Sequence, residues 1–387
     1  MNMHADYDVI VAGAGSFGMS AGYYAAKAGA RVLMIDSGDP PHTLGSHHGG
    51  TRIFRAAYTM GAAYVRLALR ANALWHELEQ DYASLRTEQD FSSGPLFECT
   101  GVVSIGPISS RFIRSKLESC IEFGIAHRRL TAAEAREEWP GLFVPDSMEA
   151  LYEPNAGVLH SERILRVYRE LALRHGARLL PYTEALSIEA TPDGYVIRTT
   201  GGDYYAKRVL ASGGAWIGRL LPQLEAVTPI RKAVGWFEAP REQYGSGQLP
   251  AFIINNGGDE EYFGFPDLDG GGLKIGRHDG GVTAVYGNPL PAFGAYAEDE
   301  SELRYALNRF LPDVRRLRSG QVCLYERSPG ERFLIGEVPG RSGLWFAGGG
   351  SGHGFKFASA IGEALGTTLA SGETSPELDW QAFSLHS

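Results

Sequence analysis

The sequence predicts an α/β (α+β) protein in which a parallel sheet is interrupted by an antiparallel one. Two distant segments, residues 7–28 and 343–369, share the pattern of a buried strand, a Gly-rich turn and a helix. Between them, short apolar runs predict an antiparallel sheet with one half-open face. Because both strand–turn–helix units fit the same parallel sheet, we expect a discontinuous first domain with a second domain inserted into it.

The first unit has the order of a Rossmann-like nucleotide-binding unit. An apolar strand, Tyr7–Ala12, leads into the turn Gly13-Ala-Gly-Ser-Phe-Gly18, a helix over residues 19–28 and a second buried strand over residues 31–36. The first glycine permits the tight turn, the second lets backbone amides approach a pyrophosphate, and the third allows close helix–strand packing. The predicted dinucleotide contacts are Gly13, Gly15, Ser16, Gly18 and Asp36.

Asp36 ends the second strand, where an acid accepts hydrogen bonds from a ribose diol. An acid at this place argues against the 2′-phosphate of NADP. The glycines alone could form a tight structural turn, but the order of strand, turn, helix, strand and acid favours a dinucleotide. The motif does not separate FAD from NAD.

The remaining elements are predicted from periodicity and from Gly and Pro positions. Residues 39–52 are too rich in Pro, Gly and His for a regular element, so we expect a loop there. Helices are predicted over 64–79, 110–123, 161–175 and 356–369. Strands are predicted over 101–105, 194–198, 206–212, 229–238, 251–255, 273–275 and 343–347.

Composition excludes several classes of partner. The 387 residues carry a formal net charge of −9, which disfavours nucleic acid and anionic membranes. Three cysteines form neither a disulfide framework nor a zinc motif, and His47 and His48 lack converging ligands, so we expect no metal. With no apolar run of about 18 residues and no signal-peptide pattern, we expect a cytoplasmic protein.

Four longer stretches carry a family resemblance: SHHGGTRIFRAAY (46–58), GLKIGRH (272–278), VCLYERSPGERFLIG (322–336) and SGHGFKFAS (351–359). Through them the chain resembles the monomeric sarcosine oxidase / N-methyltryptophan oxidase family over essentially its whole length. The resemblance implies a Rossmann-like FAD-binding domain of the glutathione-reductase/D-amino-acid-oxidase type, and an inserted antiparallel-sheet substrate domain. The FAD-binding domain would comprise residues 1–88, 150–222 and 320–387, and the substrate domain residues 89–149 and 223–319.

The same resemblance implies how FAD is held. Cys323 matches the cysteine that binds the flavin covalently through its 8α-methyl group, although a lone cysteine is more often a small buried hydrophobe. Arg52 would lie against the flavin ring, where its cation favours the anionic reduced form. The further predicted cofactor contacts are Ser46, Thr51, Gly352, Gly354 and Lys356.

The resemblance also implies catalytic and substrate-binding residues. Arg55 and Lys356 would hold the substrate carboxylate, and Lys274 would activate oxygen through a water at flavin N5. Taken alone, Arg55 could belong to a solvated loop, Lys356 to the surface, and Lys274 to the outward face of its strand. His278 and Tyr325 match active-site residues, although a satisfied core histidine is an open alternative for His278.

One residue departs from the family pattern. Phe263 stands where the family has a tyrosine before the Gly-Phe-Pro turn, which makes the predicted pocket wall more apolar. This departure puts sarcosine in doubt as the substrate and leaves an apolar or aromatic amino acid at least as plausible.

We therefore predict a monomeric FAD-dependent oxidase that acts on N-methyl α-amino acids. Its partners would be a small amino acid and O2, and its products an imine, hydrolysed to aldehyde and amino acid, and H2O2. The alternatives are an oxidase of a bulkier or cyclic secondary amine, such as a glycated or pipecolate-like amino acid, and an NAD-dependent dehydrogenase. A third is a flavin-binding subunit without turnover.

Overall fold

The computed structural model describes residues 6–85 and 94–385. Its strands are β1 (Tyr7–Ala12), β2 (Val32–Ile35), β3 (Thr51–Phe54), β4 (Phe97–Glu98), β5 (Val102–Pro107), β6 (Arg128–Thr131), β7 (Met148–Glu153), β8 (Gly157–His160), β9 (Arg178–Leu180), β10 (Ala185–Thr191), β11 (Gly194–Thr199), β12 (Gly202–Ala211), β13 (Thr228–Phe237), β14 (Ala251–Gly257), β15 (Glu260–Phe265), β16 (Leu273–Arg277), β17 (Val282–Thr283), β18 (Leu317–Arg327), β19 (Leu334–Glu337) and β20 (Leu344–Gly348).

The α-helices cover the amphipathic and Ala-rich stretches between these strands. They are α1 (Ser16–Lys27), α2 (Ala62–Leu85), α3 (Arg111–Phe123), α4 (Ala132–Glu138), α5 (Ser161–Arg174), α6 (Ile217–Leu220), α7 (Arg241–Tyr244), α8 (Glu298–Phe310) and α9 (Ala358–Ser371). The helix predicted to start at residue 356 starts later, because Phe355–Phe357 forms a 3-10 turn before α9.

The first sheet contains both strand–turn–helix units. Within the described ranges it has eight strands, and its parallel part runs in the order β9-β2-β1-β12-β20. β10 and β11 continue it antiparallel from β12, and β19 pairs antiparallel with β20. β1 and β20 therefore lie on either side of β12, so their following turns reach the same edge of the sheet.

The second sheet is the predicted antiparallel one, with a single parallel pair between β5 and β14. In the described part of the chain it has nine strands, ordered β17-β13-β16-β15-β14-β5-β7-β6, with β18 also paired to β13. A small third sheet joins β3, β8 and β4. Residues 51 and 52, expected in a loop, start β3, because β8 supplies a partner strand about a hundred residues away in sequence.

Strand pairing shows where the proposed domain boundaries fall. The boundary at 149/150 lies inside β7 and that at 319/320 inside β18, and both strands pair in the nine-stranded sheet. The boundary at 88/89 lies outside the described residues. The division into two domains stays a prediction.

Helices α1 and α9 pack closely because small residues face each other. Ser20 Oγ in α1 donates to the carbonyl of Ala358 at 2.8 Å. A Cβ on Gly366 would come within 2.6 Å of the Ala21 carbonyl oxygen, so only glycine permits this approach. This contact between α1 and α9 joins the two predicted turn–helix units.

No helix in the described ranges is long and apolar enough to span a membrane.

Candidate active site

The first Gly-rich turn has the backbone geometry that its sequence predicts. Gly13 has φ +103°, and a Cβ on Gly18 would overlap the carbonyl oxygen of Gly13. In contrast, a Cβ on Gly15 would meet no atom within 4 Å. The backbone before Ser16, where α1 begins, therefore faces open space at the positive end of the helix dipole.

Asp36 stabilises the first Gly-rich turn through hydrogen bonds to the backbone. Its buried carboxylate accepts hydrogen bonds from Ala14 N at 2.8 Å and from Gly38 N at 2.9 Å, and His42 Nε2 lies 2.9 Å from it. The acid thus links the end of β2 to the glycine turn. Its predicted contact with a ribose diol stays a prediction.

A cavity of about 1060 Å³, including its opening to solvent, lies between the nine-stranded sheet and the second Gly-rich turn. Strands β13 to β16 and β18 line one side, and β3 and the segment after it line another. Nine of the residues singled out from the sequence line it: Arg52, Arg55, Phe263, Lys274, His278, Cys323, Tyr325, Gly352 and Lys356. The structure brings them together from four separate segments.

Cys323 and Tyr325 reach the cavity from the same face of β18, because residues two apart in a strand point the same way. Both side chains are buried. A Cβ on Gly352 would overlap the Tyr325 ring, so glycine lets the second Gly-rich turn pass over this tyrosine. Gly354 likewise packs closely, since a Cβ there would lie 2.9 Å from the Cα of Gly350.

Lys274 is 3% exposed in the middle of β16, so the outward-facing alternative is wrong. Its Nζ donates to the Gly49 carbonyl at 2.6 Å and to Thr51 Oγ1 at 3.0 Å. Burial, with the nearby Arg52 cation, holds the pKa of Lys274 well below its ordinary value. The amino group of Lys274 thus lies at the cavity wall and is held by neutral partners.

Arg52 is fixed by three backbone carbonyls. Its guanidinium donates to Thr51 O at 2.6 Å, Ser46 O at 2.6 Å and His48 O at 2.7 Å. Ser46 and Thr51 therefore shape the site at least through their backbone. These partners are neutral, so they leave the positive charge of Arg52 uncompensated.

Arg55 and Lys356 lie around Tyr58. The Arg55 guanidinium lies over the Tyr58 ring and donates to the Ala57 carbonyl, while its Nε has no hydrogen-bond partner among the described residues. Lys356 Nζ donates to Tyr58 Oη at 3.4 Å and to the His353 carbonyl at 3.1 Å. Burial and the Arg55 charge hold the pKa of Lys356 well below its ordinary value. Lys356 is buried, so its surface alternative is wrong.

Residues that the sequence reasoning did not single out also line the cavity: Tyr58, Glu261, Glu331 and His353. Tyr58, Glu331 and His353 lie inside the quoted motifs, which was the available signal; Glu261 lies in none. Glu331 Oε2 lies 3.9 Å from His278 Nε2, so His278 has an acidic neighbour.

Glu153 supports the segment after Arg55 from outside the cavity. Its buried carboxylate accepts hydrogen bonds from Ala56 N at 3.1 Å and Ala57 N at 3.0 Å. Burial raises its pKa above the ordinary value despite these donors. This carboxylate was missed because only folding brings the end of β7 beside the segment that follows β3.

The residues present fit FAD better than a metal. A glycine turn open at a helix N-terminus and a cavity holding a thiol and several cations suit a flavin dinucleotide. Among the described residues, no three His, Cys, Asp or Glu side chains cluster as metal ligands. His47, one of the two adjacent histidines considered from the sequence, is buried, which lowers its pKa to about 3. Its Nε2 accepts a hydrogen bond from His42 N at 3.1 Å.

A Gly-rich turn at a helix N-terminus, together with a cavity lined by basic side chains and a thiol, is typical of a cofactor-dependent redox enzyme. A protein-family model described as FAD dependent oxidoreductase matches residues 8–367, and the chain belongs to this family. FAD is therefore the cofactor class, and the NAD-dependent alternative is set aside.

Individual relatives agree with the family. The chain is 42% identical to monomeric sarcosine oxidase of Bacillus sp. (strain NS-129), over 99% of this chain and 97% of the relative. It is 39% identical to N-methyl-L-tryptophan oxidase of Yersinia pestis (strain Pestoides F), over 98% of this chain and 99% of that one. The structure of glycine oxidase from Geobacillus kaustophilus is similar with a TM-score of 0.81, at 23% identity and 98% coverage of both chains. The resemblance drawn from the motifs and the predicted fold class are confirmed.

Proposed function

We propose that the protein is a flavoprotein oxidase of N-methyl or other secondary α-amino acids. One observation carries the proposal: Arg55 and Lys356 are buried basic side chains lining one cavity, and their hydrogen bonds in the described ranges go to neutral oxygens. Glu261 and Glu153 act on Lys356 through their charges without a hydrogen bond to it. Unpaired buried cations are costly, so the site is completed by an anion. The carboxylate of an amino acid supplies that anion.

Arg55 and Lys356 hold and orient the substrate. The planar guanidinium suits a carboxylate, and the ammonium, which also lies near Tyr58, adds a second donor. Fixing the carboxylate fixes the direction of the C–N bond in the cavity. The surrounding cations also lower the pKa of the substrate amine, which favours the neutral amine that oxidation requires.

FAD, when bound, supplies the two-electron acceptor for the C–N bond and passes the electrons to O2, with H2O2 as product. Lys274 offers a buried positive charge held by Gly49 and Thr51. A cation fixed in advance stabilises the negative charge that O2 acquires on reduction. Arg52 supplies the corresponding charge for the reduced ring. Water hydrolyses the imine product to an aldehyde and an amino acid, and no side-chain base is needed.

Cys323 is the proposed point of covalent FAD attachment. Its buried thiol lines the same cavity as Lys274 and Tyr325. The proposal rests on this placement and on the family resemblance of the segment around it. Gly13, Gly15, Ser16, Gly18 and Asp36 would hold the dinucleotide end.

The cavity wall favours a substrate with an apolar side chain. Val234, Ile253, Phe263 and Met60 line the cavity, and Phe263 offers no hydroxyl. Burial of an apolar substrate side chain here gains about 25 cal/mol per Å². This wall also supports the second candidate, a bulkier or cyclic secondary amine.

The test is a substrate panel applied to the purified yellow protein without oxygen. We expect N-methyl amino acids with apolar side chains to bleach the flavin faster than the primary amino acids, and to yield H2O2 when air is admitted. As a matched control, the methyl ester of the best substrate keeps the amine but loses the anion and should react poorly. Failure of all secondary amino acids to bleach the flavin would contradict the proposal and favour a flavin-binding subunit without turnover.

A cytoplasmic location and a monomeric state complete the proposal. They are supported by the sequence and, for the monomer, by the name of the Bacillus relative. Size-exclusion chromatography with light scattering tests the monomer.

A further inference from the structure

Lys232 lies directly opposite Cys323 in the ladder between β13 and β18. Side chains of directly opposed residues in an antiparallel pair share one face, with Cβ atoms about 4.5–5.5 Å apart. Lys232 is 4% exposed and Cys323 is 6% exposed. A buried ammonium group therefore shares a strand face with the thiol proposed to bind FAD.

The hydrogen bonding of Lys232 leaves donors to spare. Its Nζ donates to the carbonyl of Asp279 and lies 5.5 Å from the centre of the Tyr325 ring. In the described part of the chain, no carboxylate oxygen lies within 4.0 Å of this nitrogen. An ammonium has three N–H donors, so the group is available to a new anion on its face.

Charged groups around Lys232 act in opposite directions. Burial and the Arg327 cation lower the pKa of Lys232 to about 8, whereas Asp279 and Glu302 raise it. The pKa of Glu331 is lowered by the neighbouring His278 side chain and by the charges of Arg327 and Lys232. Burial raises the pKa of Tyr325, whose ring lies near Lys232 and His278, so this tyrosine stays neutral.

We propose that Lys232 promotes covalent attachment of FAD by stabilising the thiolate of Cys323. The inference rests on the proposed flavin linkage. Attachment breaks the S–H bond of Cys323 and one C–H bond of the flavin 8α-methyl group, and it forms a bond between Sγ and the methyl carbon. The two protons and two electrons released reduce the flavin ring, and O2 then accepts them as H2O2. Lys232 is thus a positioning residue that raises the thiolate fraction.

The experiment follows attachment rather than turnover. Full-length apoprotein made under riboflavin limitation is mixed with FAD, and the flavin that stays with acid-precipitated protein is measured over time. At pH 7, we expect Lys232→Met to attach FAD on the order of tenfold more slowly, because the thiolate is the nucleophile and loses its neighbouring positive charge. Non-covalent FAD binding, measured by fluorescence quenching before acid is added, should change little.

Three comparisons separate an electrostatic role from a structural one. Lys232→Arg keeps the charge and should retain most of the rate, and raising the pH should restore Lys232→Met, because the thiol then ionises unaided. Lys116→Met removes an equally buried lysine on α3 and should leave attachment unchanged. If Lys232→Met does not fold, Lys232→Gln replaces it.

Equal attachment rates in wild type and Lys232→Met would overturn this inference alone. A wild type that never binds FAD covalently would overturn both the linkage and the role of Lys232. Neither result bears on the proposed amino acid oxidation, which the bleaching assay tests separately.

Discussion

Arg55 and Lys356 are far apart in sequence, yet both lie close to the ring of Tyr58. The Arg55 guanidinium carbon lies 4.5 Å from the centre of the Tyr58 ring, and Lys356 Nζ lies 5.1 Å from it. The electron-rich ring partly offsets the cost of burying two like charges together. The positive charge of Arg55 and Lys356 that the ring does not offset can bind an anion. This is the basis of the proposed carboxylate site in the cavity.

Replacing Arg55 should weaken carboxylate ligands. Arg55→Ala removes a charge-assisted hydrogen-bond donor that is worth about 1.5–3 kcal/mol, so we expect inhibition constants of simple carboxylic acids to rise about 10- to 150-fold. Inhibitor titration of the flavin spectrum measures this directly. Arg66→Ala, which removes an exposed arginine from α2, is the control. Unchanged inhibition in Arg55→Ala would place the anion site elsewhere.

Replacing Lys274 should slow the reaction with oxygen far more than the reaction with substrate. Lys274→Met removes a preorganised cation, so reoxidation by O2 should fall about 10²–10³-fold. Stopped-flow mixing of reduced enzyme with O2 measures this step, and anaerobic bleaching measures the other. Lys207→Met, at an exposed lysine paired with Asp8, is the control. Equal slowing of both steps would refute the oxygen role.

The pH dependence of reoxidation follows from the same lysine. Its pKa is lowered by burial, so the ammonium loses its proton at a lower pH than an ordinary lysine. Reoxidation should therefore decline as pH rises, in a range below the ordinary lysine pKa of about 10.4. A profile that is flat up to that pH would contradict an electrostatic role for Lys274.

Two glycines of the first turn should respond differently to alanine. A Cβ on Gly18 would overlap Gly13 O, so Gly18→Ala should destabilise the apoprotein by about 1–3 kcal/mol. A Cβ on Gly15 meets no protein atom within 4 Å, so Gly15→Ala should leave the melting temperature of the apoprotein unchanged but weaken FAD binding. Thermal melts and FAD titration test the pair. Full FAD affinity in Gly15→Ala would move the dinucleotide away from this turn.

Covalent attachment has a direct chemical readout. If Cys323 carries FAD, acid-precipitated wild type stays yellow, whereas Cys323→Ser releases its flavin. Cys120→Ser changes a cysteine that is also buried, and it should keep the colour. A colourless wild-type pellet would refute attachment but not FAD binding.

Local sequence predicted the elements whose partners are close in the chain. The helix over 110–123 is found as α3, where Ser110 Oγ accepts from Ile113 N and Gly124 ends the helix at φ +64°. β3 was missed because its hydrogen bonds come from β8. Lys274 was ambiguous because alternation along a strand does not say which face is covered. Its burial depends on Gly49 and Thr51, which only folding brings beside β16.

By itself, the sequence determined the Gly-rich turn at Gly13, Gly15 and Gly18 and the motif segments that carry the family resemblance. These features rest on backbone conformation and on contiguous residues, which one stretch of chain specifies. Only the tertiary structure decided that Tyr58, Glu261 and His353 share a cavity with Lys274, and that Lys232 faces Cys323. Such relationships depend on strand register and burial, which arise when segments distant in sequence pack together.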